Sequence, residues 1–165
     1  MISMRPITDA DQAFLRELYA STRAREMAMV PWSPEEKHAF LGMQFEAQHK
    51  FYMDQFPRAR FDLLLEDGEP IGRLYLDVRD DEHRLIDIAL LPQHRGRGIG
   101  ARLMRDVLDE AAGEGKKVRI HVETNNPAMH LYDRLGFEKV EEQGPYRLME
   151  WRPAGPNEAA GGQRR

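Results

Sequence analysis

The chain of 165 residues contains no cysteine. That absence removes disulfides, thiolate metal sites and a thiol nucleophile together. No apolar run approaches the roughly 18 residues of a membrane-spanning helix, and the opening stretch MISMRPITDADQ lacks the apolar segment of a signal peptide. A cytoplasmic protein with no membrane partner is the expectation. Net positive charge is also missing: at −4 the chain is not built to coat nucleic acid, and no nucleic-acid partner is expected. His38, His49, His83, His94 and His130 show no ligand spacing, so no metal is expected. No internal repeat is present. What remains is ordinary for a soluble globular protein, 41% apolar and 32% charged, in a length that suits one domain.

Against this acidic background one stretch is locally basic and rich in glycine: Leu85 to Ala101, LIDIALLPQHRGRGIGA. Arg84 to Leu91 is a nearly continuous apolar run with a single acid, Asp87, which predicts a strand buried on both faces. Pro92 ends it. Gly96, Gly98 and Gly100 leave the backbone unobstructed, and Ile99, Leu103, Val107 and Ala111 recur at helical spacing, predicting a helix from about Gly98 to Ala112. A helix N-terminus presents unpaired N–H groups and a partial positive charge, which suits phosphate. Arg95, Arg97, Arg102 and Arg105 add formal charge around it. The stretch reads as a cradle for a pyrophosphate.

Around it the chain alternates between strand and helix signals. Ile2 to Ile7 suits a short strand, Thr8 an N-cap with Asp11 three residues on, and Phe14, Leu15, Leu18 and Tyr19 a helix reaching about Met29. Ser33-Pro34-Glu35-Glu36 starts a second helix running to about Gln55. Its many aromatic residues either pack on a sheet or in part line a substrate pocket. Phe61 to Glu66 and Ile71 to Val78 form a hairpin about Asp67-Gly68. Lys117 to Glu123 alternates as a strand and, after a crossover helix, runs parallel to the strand ending at Leu91. Asn125 to Ala128 opens a short helix stopped by Gly136, and Phe137 to Glu142 with Tyr146 to Trp151 closes the fold as a hairpin. The domain is expected over 1–152, with a disordered tail rich in Gly, Ala, Pro and Arg over 153–165.

Two segments carry a resemblance. Arg95-Gly96-Arg97-Gly98-Ile99-Gly100 is similar to the R/Q-x-x-G-x-G/A signature of the GNAT superfamily of acyl-CoA-dependent N-acyltransferases. Asn125-Asn126-Pro127-Ala128-Met129-His130-Leu131-Tyr132, followed by Leu135-Gly136-Phe137, resembles that family's second signature, N-x-x-A-x-x-L-Y-x-x-x-G-F. The resemblance implies an α/β (α+β) GNAT fold. Its central sheet is mixed and mostly antiparallel, with a splayed parallel pair of strands, and is flanked by helices. It also implies acetyl-CoA as co-substrate, a small-molecule or protein amine as acceptor, direct attack in a ternary complex, and a possible homodimer. Pyrophosphate would meet the amides of Arg95, Gly96, Arg97, Gly98, Ile99, Gly100 and Ala101. Pantetheine would pair with the free strand edge near Ile88 and Leu90 as an added strand would, and Asn125 would contact the same ligand. The family's proton donor to the departing thiolate falls on Tyr132.

The chemistry needs more than the motifs supply. An amine with a pKa near 10.4 is mostly protonated at neutral pH, so a base or water chain must take its proton. Asp87 is the candidate base or partner of the substrate ammonium, with a structural salt bridge to Arg73 or Arg119 as the alternative, and His121 and Glu123 as substitutes. A strand amide near Leu90 is the natural donor to a developing oxyanion. A non-catalytic acyl-CoA sensor or scaffold of the same fold is the rival reading. Gly96-x-Gly98-x-x-Ala101 also fits a dinucleotide fingerprint, but Pro92 to Arg95 intervene between strand and glycine, and no second βαβ half follows.

Overall fold

The computed structural model describes residues 1–154, so the expected tail falls outside the described residues from position 155 on. Strands β1 (Ile2–Pro6), β2 (Arg60–Glu66), β3 (Glu69–Val78), β4 (Glu82–Leu90), β5 (Lys117–Glu123), β6 (Glu138–Gln143) and β7 (Tyr146–Trp151) are hydrogen-bonded in the order β1-β2-β3-β4-β5-β7-β6. The β1–β2, β5–β7 and β6–β7 pairs are antiparallel and β4–β5 is parallel, the mixed sheet expected. The helices are α1 (Gln12–Thr22), α2 (Ala24–Ala28), α3 (Pro34–Gln55), α4 (Ile99–Gly113) and α5 (Met129–Arg134). The described chain divides into two compact units, Met1–Tyr75 with Asp87–Arg97, and Leu76–Ile86 with 98–154. Among the described residues no helix is long and apolar enough to cross a membrane.

In the first unit the β2–β3 hairpin turns on Asp67 (φ 50°) and Gly68 (φ 86°), two successive left-handed residues whose twist matches that of a hairpin. Leu15, Tyr19, Phe45 and Leu63 form its core, with Ile7, Phe14, Leu41 and Leu65 packed on them. Helix α3 starts on the expected capping box: Glu36 N–H donates to Ser33 Oγ at 3.1 Å and Ser33 N–H to Glu36 Oε1 at 2.8 Å. The first helix departs from expectation. It stops at Thr22, pauses at Arg23 and resumes as the short α2. The hydroxyls of Ser21 and Thr22 donate back to the carbonyls of Leu18 and Tyr19 at 2.7 and 2.6 Å, and nothing in α2 is buried to hold the helix straight.

Asp11, just ahead of α1, is held by both terminal nitrogens of Arg5 at 2.9 Å and accepts the Thr8 N–H at 2.8 Å. The Arg5 hydrogen bonds, with the Thr8 amide adding to them, lower its carboxyl to about 2. A carboxyl depressed in the folded state stabilises above its unfolded pKa and loses that contribution as pH falls through the folded one. Asp11→Asn should therefore cost about 2 kcal/mol at pH 7. The gap to wild type should close between about pH 5 and pH 2, as read by denaturant titration at a series of pH values.

In the second unit α4 buries Ile99, Leu103, Met104, Val107, Leu108 and Ala111 along one face, and β5 buries Val118, Ile120 and Val122. Gly136, at φ 96°, follows α5 where the C-terminal glycine was expected. The parallel ladder pairs Glu82 to Leu85 with Lys117 to Ile120. The expectation that β4 is buried on both faces fails beyond it: Ile86, Asp87, Ile88 and Ala89 are only half-buried.

Candidate functional site

The residues of the glycine-rich loop set its shape first. After Leu90 a short 3-10 turn over Pro92–His94 leads to an extended Arg95 (φ −81°, ψ 161°). Gly96 and Gly98 then take φ 76° and 80°, a region that side chains disfavour, and Gly98 caps α4. A Cβ placed at Gly96, Gly98 or Gly100 would meet nothing within 4 Å. The loop is therefore open, and it delivers the chain to a helix of 15 residues whose first N–H groups have no helical acceptor.

The two loop arginines make contacts that the sequence does not foretell. Arg95 Nε donates to the Leu90 carbonyl at 2.9 Å. Arg97 meets both oxygens of Glu66 at 3.0 and 2.5 Å, with His94 Nδ1 3.1 Å away. The Arg97 hydrogen bonds hold the Glu66 carboxyl below its ordinary range, and Glu66 in turn raises the Arg97 guanidinium. Arg102 and Arg105 lie exposed on α4.

Strands β3 and β4 place the central acid in the same unit. Asp87 is paired with Arg73: Nε donates to Oδ2 at 2.7 Å, and Nη2 lies 2.5 Å from the same oxygen. Arg73 Nη2 also donates to Gln48 Oε1 of α3 at 2.8 Å. Its guanidinium carbon stands 4.7 Å from the centre of the Tyr75 ring and 6.0 Å from that of Tyr52. Burial pushes the Tyr52 and Tyr75 hydroxyls above their usual range, with the Asp87 charge adding to the effect. Burial is the largest single influence and disfavours the Arg73 charge, but Asp87, Tyr75 and Tyr52 together more than offset it and the guanidinium is raised. Of the two structural partners considered for Asp87, Arg73 is the one found. Arg119 instead donates to Glu150 at 2.7 Å.

The remaining expected residues belong to the second unit. Tyr132 of α5 is 3% exposed, and its ring meets Phe137 edge-on at 5.7 Å. Asn125 is exposed after β5, while its neighbour Asn126 shapes the turn by accepting the Ala128 N–H at 2.8 Å. His121 is held below its ordinary range, by burial first and by the nearby Arg84 charge. Glu123 is half-buried two residues along the same strand.

Sequence reasoning missed Gln48 and Glu66 as partners of the key arginines, and only Gln48's place on α3 opposite an unexplained strand arginine could have hinted at it. It also missed a cluster far along the chain: the fully buried His83 lies 3.1 Å from Glu114, and His83, Glu110 and Glu114 offer ligand atoms within 4.8 Å of one another. Lys116, 3.0 Å from Glu114, already serves as its counter-ion.

Residues 12–137 match the profile of the Acetyltransferase (GNAT) family. The chain is 30% identical over 84 residues to the ribosomal protein bS18-alanine N-acetyltransferase of Haemophilus influenzae, covering 50% of this chain and 58% of that one. It is 42% identical over 48 residues to the L-amino acid N-acyltransferase of Escherichia coli, covering 28% of each. The chain thus spans less than two thirds of the length of these relatives. Its fold is similar to that of the PaiA N-acetyltransferase from Thermoplasma acidophilum, solved with coenzyme A, at a TM-score of 0.69 and 18% identity over 92% of this chain and 99% of the other.

Proposed function

Because the chain belongs to the GNAT acetyltransferase family, we propose that it is an N-acetyltransferase that moves an acetyl group from acetyl-CoA to a primary amine, in particular an α-amine. The observation that carries the reading is the loop: left-handed Gly96 and Gly98, with open space where a Cβ would stand, lead directly into α4. That geometry suits a pyrophosphate, which needs close backbone approach and a cluster of N–H donors. The names of two relatives, one acting on a protein alanine and one on L-amino acids, share an α-amino group, and that supports the acceptor class.

Acetyl-CoA, when bound, supplies an acetyl group activated as a thioester. In this reading the amides of Gly98, Ile99, Gly100 and Ala101 and the side chains of Arg95 and Arg97 receive its phosphates. Backbone groups of Ile88 and Leu90 hydrogen-bond its pantetheine arm, and Asn125 adds a polar contact. Asp87 pairs with the acceptor ammonium and takes up its proton. Tyr132 gives a proton to the departing sulfur, whose pKa is near 8.5 by analogy with cysteine, and is restored by the second proton that the nitrogen sheds as the amide forms.

The test is release of free CoA thiol from acetyl-CoA with a panel of amines: a peptide with N-terminal alanine, free L-amino acids, an Nα-blocked peptide carrying lysine, and spermidine. The absence of cysteine means that the protein adds no thiol background. Release with an α-amine well above the rate without amine is expected. Tight acetyl-CoA binding with no release from any amine would support the sensor reading instead.

A further inference from the structure

Several arginine–carboxylate pairs can be compared among the described residues, and one of them, Arg84 with Glu82, brings Nε and Nη2 to a single oxygen, Oε2. Arg5 grips Asp11 through both oxygens, Nη1 to Oδ2 and Nη2 to Oδ1. Arg97 grips Glu66 the same way, Nη1 to Oε1 and Nη2 to Oε2. This fork-on-fork arrangement is the strong and common one. Arg73 departs from it in the way that Arg84 does: Nε and Nη2 both converge on Oδ2 of Asp87, and Nη2 is shared with Gln48. Oδ1 carries none of the pairing. The arginine side chain is 4% exposed and that of Asp87 26%, so the part of the pair that reaches the surface is the carboxylate.

What sets this pair apart from Arg84 and Glu82 is the carboxylate, 26% exposed in Asp87 against 8% in Glu82. Burying a guanidinium costs several kcal/mol, and an apolar pair of similar volume would often serve as well. Here three elements hold the cation in one pose. Gln48 fixes its Nη2 from α3. Its central carbon stands over the rings of Tyr75 and Tyr52. The carboxylate that it holds stands directly before Ile88–Leu90 at the end of β4, in the half-buried stretch past the ladder with β5.

We propose that Arg73, anchored by Gln48, is a positioning residue: it occupies Oδ2 of Asp87 from behind and leaves Oδ1 as the acceptor for a substrate's primary ammonium. The inference rests on Asp87 meeting the acceptor, as in the function proposed above, and adds the device that aims it. A fork-on-fork pairing would use both oxygens and leave the ammonium no unshared one. The guanidinium also neutralises the carboxylate, so recognition relies on direction more than on net charge. Binding is therefore expected to be selective for a small primary ammonium that can donate to one oxygen, over a quaternary ammonium, which offers no N–H.

The experiment is a double-mutant cycle on kcat/KM for the acceptor, using the amine of the panel with the highest rate, in wild type, D87N, R73M and both together. D87N should lower this constant about a hundredfold and R73M about thirtyfold, mostly through the acceptor KM. In the D87N background R73M should cost less than about threefold, because residues that act as a unit are not additive. KM for acetyl-CoA should stay within about twofold throughout. Gln48→Ala guards against R73M failing to fold: it keeps the ion pair, suits a helix, and should raise the acceptor KM about threefold. Multiplicative losses from D87N and R73M, or an unchanged acceptor KM in Q48A, would overturn the positioning role alone. An unaffected D87N, or a wild type that acetylates none of the amines, would overturn the Asp87 reading beneath it.

Discussion

Replacing Tyr132 with phenylalanine should lower turnover about a hundredfold and leave the dissociation constant for acetyl-CoA within about twofold. The substitution removes one oxygen and keeps the ring. That ring is 3% exposed and packs edge-on against Phe137, whose amide donates to the Tyr132 carbonyl at 3.0 Å. The edge-on packing against Phe137 survives, so the ring keeps its place in the core. What is lost, in the function proposed above, is a proton source, and general acids of this kind contribute about 10²- to 10⁴-fold. Stopped-flow turnover alongside calorimetric affinity separates the two effects. Unchanged turnover would return Tyr132 to a purely structural place in the core.

Gly72→Ala should destabilise the protein by about 3 kcal/mol or more, since the nearest atom that its Cβ meets is backbone, which cannot swing aside as a side chain can. In a domain of this size that corresponds to a fall in Tm of about 10 °C. A Cβ at Gly72 would run into the carbonyl oxygen of Ala89 and stand 3.1 Å from the Leu90 Cα, both parts of the β4 backbone. The strands cannot easily part to admit it, because Leu91 N–H donates to the Ile71 carbonyl at 2.9 Å beside the contact. Any relief must displace Ala89 and Leu90, so affinity for acetyl-CoA should fall along with stability. Thermal unfolding with and without the ligand measures both. A variant with wild-type Tm would show that the close approach of β3 to β4 is not needed.

Features set by neighbours in the chain were legible in the sequence. The Ser33–Glu36 capping box, the Asp67–Gly68 turn, the unobstructed backbone at Gly96, Gly98 and Gly100 and the extent of β5 each follow from a few adjacent residues, and each is found in place. Features set by distant partners were not. The stripe of Phe14, Leu15, Leu18 and Tyr19 implies one helix to about Met29, yet Met29 is 83% exposed and the hydroxyls of Ser21 and Thr22 turn inward on the backbone ahead of a break at Arg23. The apolar run of β4 implied two buried faces, but a strand is covered only where neighbours reach it, and the ladder with β5 ends at Leu85. For the arginines, sequence gives a charge and a location; the hand that holds each one, Glu66 for Arg97 and Gln48 for Arg73, comes from another element. Asp87 could be singled out as an acid among apolar residues, and Arg73 named as a partner, because each breaks its own strand's pattern. That Oδ1 is left out of the pairing is a matter of angles that no sequence displays.

The central claim is that the glycine-rich loop and α4 receive acetyl-CoA, and the measurement that tests it most directly is calorimetric titration with acetyl-CoA, with NADH as the control. Saturable binding of acetyl-CoA and none of NADH is predicted. At a hundredfold excess over Kd the ligand should add about 2.7 kcal/mol of stability. No binding of acetyl-CoA by protein shown to be folded would contradict the account, and binding of NADH in its place would mean that the glycines serve a dinucleotide.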